Sequence, residues 1–262
     1  MLVRRLFEKA FQRKNKFPLK VLVLGHTGML GNMVNKYLSS KYEVITTNLR
    51  AEDYAFDQLI KNFEGDYIIN CIGRIPQKWK HWIDTEPGMT INTNLPIKLN
   101  KNAKCRVIHP SSDCEENGID EYARSKLYAT NYILSEGQRT KIIKCSIIGP
   151  ELETCDSLFS WVLNQKKDIN GYTNQMWNGI TSLEWAKRAE DIMIHWRKYD
   201  KMNVFRTVRI SKFYLIHQIV SIFNLNINVI PFELDNEIDR SLHGGKYIGQ
   251  IEDQLKEMFD IS

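Results

Sequence analysis

The chain has 262 residues, of which 43% are hydrophobic and 26% charged, and its formal net charge is +5. That length fits one large α/β domain or two small lobes, and the composition excludes collagen-like, low-complexity and wholly disordered chains. No apolar run approaches the roughly 18 residues of a membrane-spanning helix. Five thinly spread cysteines without a C-x-x-C pair suit a reducing, cytoplasmic setting better than a disulfide framework.

The charge is unevenly placed. Residues 1–20 carry seven lysines and arginines against Glu8 alone, a net +6, which leaves −1 for the other 242 residues. The body is therefore not basic, and nucleic-acid binding is disfavoured because no basic and aromatic pattern spans it. Residues 1–17 read as an amphipathic leader, with Leu2, Leu6, Phe7, Ala10 and Phe11 at near-helical spacing. The leader lacks the continuous apolar stretch of a secretory signal. Such a basic helix can touch a partner or an anionic surface; a loosely attached extension is the simpler expectation.

From Lys20 the elements alternate regularly. Lys20–Leu24 predicts a buried strand, Met29–Leu38 a helix, Tyr42–Thr46 a strand and Tyr54–Phe63 a helix. Asp66–Ile72 follows as a third strand, Pro87–Asn100 as helix, Arg106–Pro110 as strand, Glu121–Gly137 as a long helix and Thr140–Ile148 as strand. Strand and helix repeated in this way mean βαβ units and a parallel sheet. After Gly149-Pro150 the pattern loosens. Helices are expected over Ser157–Gln165, Ser182–Lys198, Lys212–Phe223 and Glu252–Phe259, with strands at Val204–Ile210 and Asn226–Pro231. The expected layout is an extension at 1–19, a nucleotide-binding domain at 20–150 and a smaller substrate lobe at 151–262, part of which returns to the sheet.

Between the first strand and helix stands Gly25-His26-Thr27-Gly28-Met29-Leu30-Gly31. Glycines permit the tight turn and let a pyrophosphate approach the backbone, while the new helix offers its free N–H groups to negative charge. At the end of the second strand stands Arg50. An acid there would take a ribose 2′-hydroxyl, whereas arginine can pair with a 2′-phosphate, so NADP(H) is preferred and NAD(H) remains open. Arg50 as a plain exposed loop residue is nearly as good a reading.

Tyr122 and Lys126 lie four apart, on one side of the predicted long helix. A free phenol has a pKa of about 10, and a nearby ammonium should bring it closer to working range. Ser111-Ser112-Asp113 follows a strand, where a hydroxyl could hold a carbonyl oxygen. Alone, the Tyr–Lys spacing would more often be a surface pair; its weight comes from following the glycine loop and the strand-end serines in order. The six histidines have no metal-ligand spacing, so no metal is expected. Arg74–Trp82 interleaves cations with Trp79 and Trp82, and reads equally as a diphosphate grip or a solvated flap.

Together, Gly25–Gly31, Ser111-Ser112-Asp113 and the Tyr122/Lys126 pair resemble the extended short-chain dehydrogenase/reductase family, and within it the dTDP-4-dehydrorhamnose reductase-like sugar-nucleotide reductases. Asp66–Gly73, Asn92-Thr93-Asn94, Tyr172–Thr181 and Asp239-Arg240-Ser241-Leu242 are similar to further segments of such enzymes. The resemblance implies an α/β fold, a Rossmann-type doubly wound parallel sheet with a smaller C-terminal substrate lobe. It also implies NADPH-dependent reduction of a nucleotide-linked 4-keto-6-deoxyhexose, in deoxysugar or surface-polysaccharide synthesis. By resemblance Tyr122 is the general acid, Lys126 tunes it and holds the nicotinamide ribose, and Ser112 orients the ketone. Gly25, Thr27, Gly28, Met29, Leu30, Gly31, Arg50, Cys71 and Gly73, with Tyr122 and Lys126, are the expected cofactor residues. Ser112, Asp113, Trp177 and Asn178 are the expected substrate residues. A nucleotide-sugar is the expected partner, and a homodimer is compatible with the chain.

Ser112 and Tyr122 are only ten positions apart, closer than usual in such enzymes, so the pocket wall must be thinner or supplied from elsewhere. A 4,6-dehydratase is disfavoured because Cys114 stands where those enzymes carry an acid. An epimerase and a non-catalytic nucleotide-binding scaffold of the same fold are the alternatives.

Overall fold

The computed structural model describes residues 18–76, 88–116, 120–136 and 139–261. The expected leader helix and the greater part of the Arg74–Trp82 loop lie outside them.

The first half contains β1 (Lys20–Leu24), α1 (Met29–Ser39), β2 (Glu43–Thr46), α2 (Tyr54–Asn62) and β3 (Tyr67–Asn70). A π-helical turn (Thr90–Asn94) runs into α3 (Leu95–Asn102), followed by β4 (Arg106–Ser111), α4 (Glu121–Glu136) and β5 (Thr140–Lys144). β1 lies between β2 and β3, with β4 and β5 outward of β3, all parallel. The winding therefore reverses between β1 and β3, which opens a crevice beyond the carboxyl ends of those strands.

Alternation along the strands divides the core between two faces. Val21, Val23, Ile69, Ile108 and Ile143 pack with Leu30, Val34 and Leu38 of α1 on one face. Leu22, Leu24, Ile68 and Val107 pack with Phe56 and Ile60 of α2 and Leu95 and Leu99 of α3 on the other. A sheet covered on both faces needs such continuous apolar strands.

Beyond β5 the elements are shorter: β6 (Ile147–Ile148), α5 (Leu158–Leu163), β7 (Ile169–Tyr172), β8 (Gln175–Trp177), β9 (Ile180–Thr181), α6 (Ser182–Ile194), β10 (Met202–Arg206) and β11 (Ile210–Ser211). Then come α7 (Lys212–Ile222), β12 (Val229–Phe232), β13 (Ile238–Asp239), β14 (Lys246–Tyr247) and α8 (Ile251–Ile261). β10 and β14 extend the sheet, giving seven parallel strands in the order β14-β10-β5-β4-β3-β1-β2. α6 packs on the α1 face through Trp185, Ala186, Ala189 and Ile192. A further core forms around Phe159, Trp177, Leu215, Ile219 and Leu255.

Two expected strands divide. Thr140–Ile148 leaves the sheet after Lys144, because β6 pairs with β9 and the Ser146 carbonyl accepts the Ile180 N–H at 2.9 Å. Val204–Ile210 splits into β10, in the main sheet, and β11, which pairs antiparallel with β8. The expected helix at Ser182–Lys198 stops at Ile194, with a separate 3₁₀ turn at Trp196–Lys198.

Candidate active site

The crevice is a cleft of about 510 Å³. Its floor comes from the ends of the buried strands: Cys71 and Gly73 after β3, Ser111 at the end of β4 and Ser112 after it, Cys145 and Ser146 after β5. Gly28, Met29 and Leu30 supply one wall and Tyr122 and Lys126 of α4 another. Trp177, Lys212 and Arg240 face them from the C-terminal part.

Each glycine of the first turn has a distinct physical job. Gly25 has φ +75°, a left-handed conformation that L side chains rarely adopt, and a Cβ there would sit 2.9 Å from Ile72 Cγ1. A Cβ on Gly31 would lie 2.1 Å from the Gly25 carbonyl, so only glycine lets α1 pack this close to β1. Gly28 precedes α1 and its missing side chain opens onto the cleft. The first turn of α1 carries no acid, and the buried His26 Nδ1 has no hydrogen-bond partner. This cradle of free N–H groups without negative charge fits the pyrophosphate of a dinucleotide. Arg50 is exposed just past β2, outside the cleft, and its backbone N–H donates to Asp53 at 2.8 Å.

The tyrosine helix starts in place despite its short lead. Asp120 accepts the Ala123 N–H at 2.7 Å and caps α4, so Tyr122 falls in the first turn. Thr93 donates its hydroxyl to the Ser125 carbonyl at 2.7 Å, docking α4 on the π-helical turn. The neighbouring Asn92 amide grips the Arg74 backbone from both sides, with two hydrogen bonds of 2.9 Å. This holds the loop so that Gly73 faces Lys126; a Cβ on Gly73 would stand 3.6 Å from Lys126 Nζ.

Ser112 donates to Asp113 Oδ1 at 3.0 Å, and its hydroxyl lines the cleft with the Tyr122 phenol. The spacing leads one to expect Lys126 to pull the phenol down. Instead burial pushes it well above its ordinary value, the Cys114 sulfur and the Asp113 and Glu115 carboxylates adding to the rise and Ser112 opposing it. Lys126 is itself only 6% exposed, and burial pulls its ammonium down against the opposing pull of Glu115. The phenol is thus held protonated, the form that can donate a proton.

Trp177 is buried, donates its indole N–H to Ser146 Oγ at 2.7 Å and still lines the cleft. Asn178 does not line it. Its amide is taken by the Leu242 backbone, donating to the carbonyl and accepting the N–H, both at 2.9 Å, which anchors the segment carrying Arg240. Among the expected residues, Gly28, Met29, Leu30, Cys71, Gly73, Ser112, Asp113, Tyr122, Lys126 and Trp177 meet in one cleft. Gly25 and Gly31 shape its edge from behind; Thr27 and Arg50 are exposed beyond it.

Sequence reasoning did not single out Lys212 and Arg240 as site residues. Lys212 opens α7 just after its Ser211 cap, with its ammonium 5.8 Å from the Trp177 ring centre. Burial pulls that ammonium down, and Asp113 opposes the effect. Arg240 donates to Cys114 Sγ at 2.8 Å. Both line the cleft, Arg240 against the start of the Ser112–Tyr122 segment. The sequence signal lay in Asp239–Leu242 for Arg240; Lys212 had none, since only folding brings α7 to the cleft.

A second hollow, of about 600 Å³, opens at the β10–β14 edge. Its best candidates for chemistry are satisfied by each other: Asp191 accepts from the Tyr199 hydroxyl and pairs with His195 Nδ1 at 2.7 Å. Among the described residues no cluster could hold a metal ion and no helix is long and apolar enough to cross a membrane.

A seven-stranded parallel sheet flanked by helices, with this cleft at its switch point, is a Rossmann-like α/β fold. More particularly, the chain has the fold of the dTDP-4-dehydrorhamnose reductases. The reductase from Bacillus anthracis, solved with NADP, superposes with a TM-score of 0.80 at 14% identity, over 94% of this chain and 100% of that one. The reductase from Clostridium acetobutylicum superposes at 0.78 with 17% identity, over 93% and 99%. A UDP-N-acetylglucosamine 4-epimerase from Methanobrevibacter ruminantium, in complex with UDP-N-acetylmuramic acid, superposes at 0.68 with 16% identity, over 94% and 98%. The sequence matches no protein-family model and no curated protein.

Proposed function

We propose that the chain is an NADPH-dependent reductase of a nucleotide-linked 4-keto-6-deoxyhexose, working in deoxysugar synthesis for surface polysaccharide in the cytoplasm. The observation that carries this reading is the convergence of Ser112, Tyr122 and Lys126 on one cleft with the acid-free start of α1. When bound, the nicotinamide supplies the hydride; the protein supplies orientation and a proton.

In this reading Gly28, Met29 and Leu30 receive the pyrophosphate, with Gly25, Thr27 and Gly31 forming the turn that shapes their cradle. Cys71 and Gly73 flank the cofactor where β3 ends. Arg50, exposed beside the adenosine end, pairs with a 2′-phosphate and favours NADPH. Lys126 holds the nicotinamide ribose. When substrate binds, Ser112 turns its one O–H from Asp113 to the sugar ketone, and Tyr122 Oη delivers the proton that the developing alkoxide needs. A buried, protonated phenol suits the direction of reduction. Trp177 offers a face for the sugar, and Asp113 holds Ser112 and balances Lys212. Asn178 acts on the substrate through the Arg240 segment it anchors.

Incubation with NADPH and a panel of nucleotide-4-keto sugars, followed at 340 nm, tests the proposal. Oxidation of NADPH that requires the sugar supports it. Cofactor binding without any turnover across the panel contradicts it in favour of a scaffold.

A further inference from the structure

The short segment after Ser112 carries two neighbouring acids with opposite surroundings. Glu116 is half exposed and pairs with Lys144 Nζ at 2.7 Å. Glu115 has no exposed side-chain surface. Its Oε1 accepts the Thr130 hydroxyl at 2.9 Å, Lys144 Nζ stands 3.7 Å from its Oε2, and that Oε2 has no hydrogen-bond partner. Thr130 lies one turn beyond Lys126 on the same face of α4. The carboxylate is thereby fixed one helical turn from the buried Lys126, beyond ion-pair distance, and acts on its ammonium across the protein interior. An apolar side chain would fill this space without the cost of desolvating a carboxylate. A carboxylate in such a place points to a role beyond packing.

Of the other groups around Lys126, Asp113 is a carboxylate in the same cleft, and it faces Ser112 and Lys212. On β4, His109 is buried. Asn70 Oδ1 accepts the Ile72 N–H at 3.1 Å, so its Nδ2 donates to His109 Nδ1 at 3.0 Å and the ring proton lies on Nε2. Burial keeps that ring neutral. In the segment after β4, burial pushes the Cys114 thiol up, and Asp113 is engaged by Ser112. On α4 itself Tyr122 stays protonated, and from β5 comes only another cation, Lys144. The Asn92 amide beside Gly73 is neutral and engaged with Arg74.

We propose that Glu115 is a positioning residue whose buried carboxylate, anchored by Thr130 one turn along α4, favours the ammonium form of Lys126 beside Tyr122. Its consequence for catalysis rests on the reductase reading above; the coupling of Glu115 to Lys126 does not. Burial alone drives Lys126 toward the neutral amine, and Glu115 is the leading influence opposing it. Only the charged form can donate three hydrogen bonds and stabilise the phenolate left after Tyr122 gives up its proton.

The test is an NMR titration of the full-length protein with lysines labelled at ¹³Cε, the Lys126 signal assigned by its loss in Lys126→Arg. In Glu115→Gln, which keeps shape and removes charge, the Lys126 midpoint falls by about one pH unit or more. In Thr130→Val, which releases the carboxylate, it falls less but in the same direction. An unchanged midpoint in folded Glu115→Gln overturns the proposal. Should Glu115→Gln fail to fold, an unchanged midpoint in Thr130→Val overturns it. A shifted midpoint in a protein that turns over no keto sugar leaves the coupling standing and removes the reductase reading; turnover with an unshifted midpoint does the reverse.

Discussion

In the central sheet the inner strands β3 and β5 are buried at every residue, whereas in the C-terminal part β12 has three exposed residues of four and β13 and the sheet's edge strand β14 are exposed throughout. The two regions share the sheet through β5 and β10 and a core between α1 and α6, and at the cleft they bring different kinds of group. Ser112, Gly73 and Cys71 stand at the ends of buried strands, and Tyr122 and Lys126 on a helix capped by Asp120 and tied down by Thr93. Lys212, Arg240, Gln175 and Met176 come from short strands, a helix start and a loop. The difference teaches a division of labour. Groups that exchange protons need positions fixed by packing on all sides, and recognition can be carried by segments whose sequence is freer to change.

Substitutions on each side of that divide should therefore fail differently. The largest effect is expected at Tyr122→Phe, which removes the proposed proton donor and should lower kcat about 100- to 10,000-fold while leaving NADPH affinity near wild type, measured by steady-state kinetics and fluorescence titration. Comparable loss of NADPH binding would mean that the phenol is structural. Gly31→Ala comes next. A methyl group 2.1 Å from the Gly25 carbonyl must push α1 off β1, costing about 1–3 kcal/mol in a denaturant titration and weakening NADPH binding together. On the recognition side, Lys212→Ala should leave stability and NADPH affinity intact and raise KM for the nucleotide sugar about tenfold, equivalent to roughly 1.4 kcal/mol. A fall in kcat with unchanged KM would place Lys212 among the reacting groups instead.

The smallest effect concerns pH. Burial holds His109 well below the ordinary histidine value of about 6.5 in the folded state, while the unfolded chain titrates near that value. As pH falls through 6.5 the unfolded state takes up the proton and the folded state does not, so His109 contributes a loss of stability on acidification. That loss approaches about 1.4 kcal/mol per pH unit below 6.5 and ends once the folded ring also protonates. His109→Gln should flatten this part of the stability profile.

Much of the first half was readable before folding. Apolar runs such as Val21–Leu24 predict strands covered on both faces, and the Gly25–Gly31 spacing announces a strand-to-helix turn whose geometry requires glycine at 25 and 31. The remainder depends on partners distant in the chain. Thr140–Ile148 is apolar enough for one strand, yet the pairing of Ile147 and Ile148 with Ile180 and Thr181 draws its end into another sheet. β13 and β14 are two residues long and have no periodicity to detect. At the site, Ser112, Tyr122 and Lys126 carry recognisable spacing. Glu115 looks like a surface acid until Thr130 and Lys144 enclose it. The direction of the Tyr122 shift was likewise hidden, because it depends on burial and on carboxylates from another element outweighing the lysine one turn away.

The central claim is that this cleft passes a hydride to the keto carbon of a nucleotide-linked sugar while Tyr122 supplies the proton. Turnover of a nucleotide-4-keto-6-deoxyhexose with NADPH carrying deuterium at nicotinamide C4 tests it directly, with the product read by mass spectrometry and NMR. The account predicts one deuterium per product molecule, at sugar C4, from whichever face of the nicotinamide the protein selects, and its loss in Tyr122→Phe. Product that carries no deuterium at C4 from either labelled face, or labelling that persists at the wild-type rate without Tyr122, would contradict it.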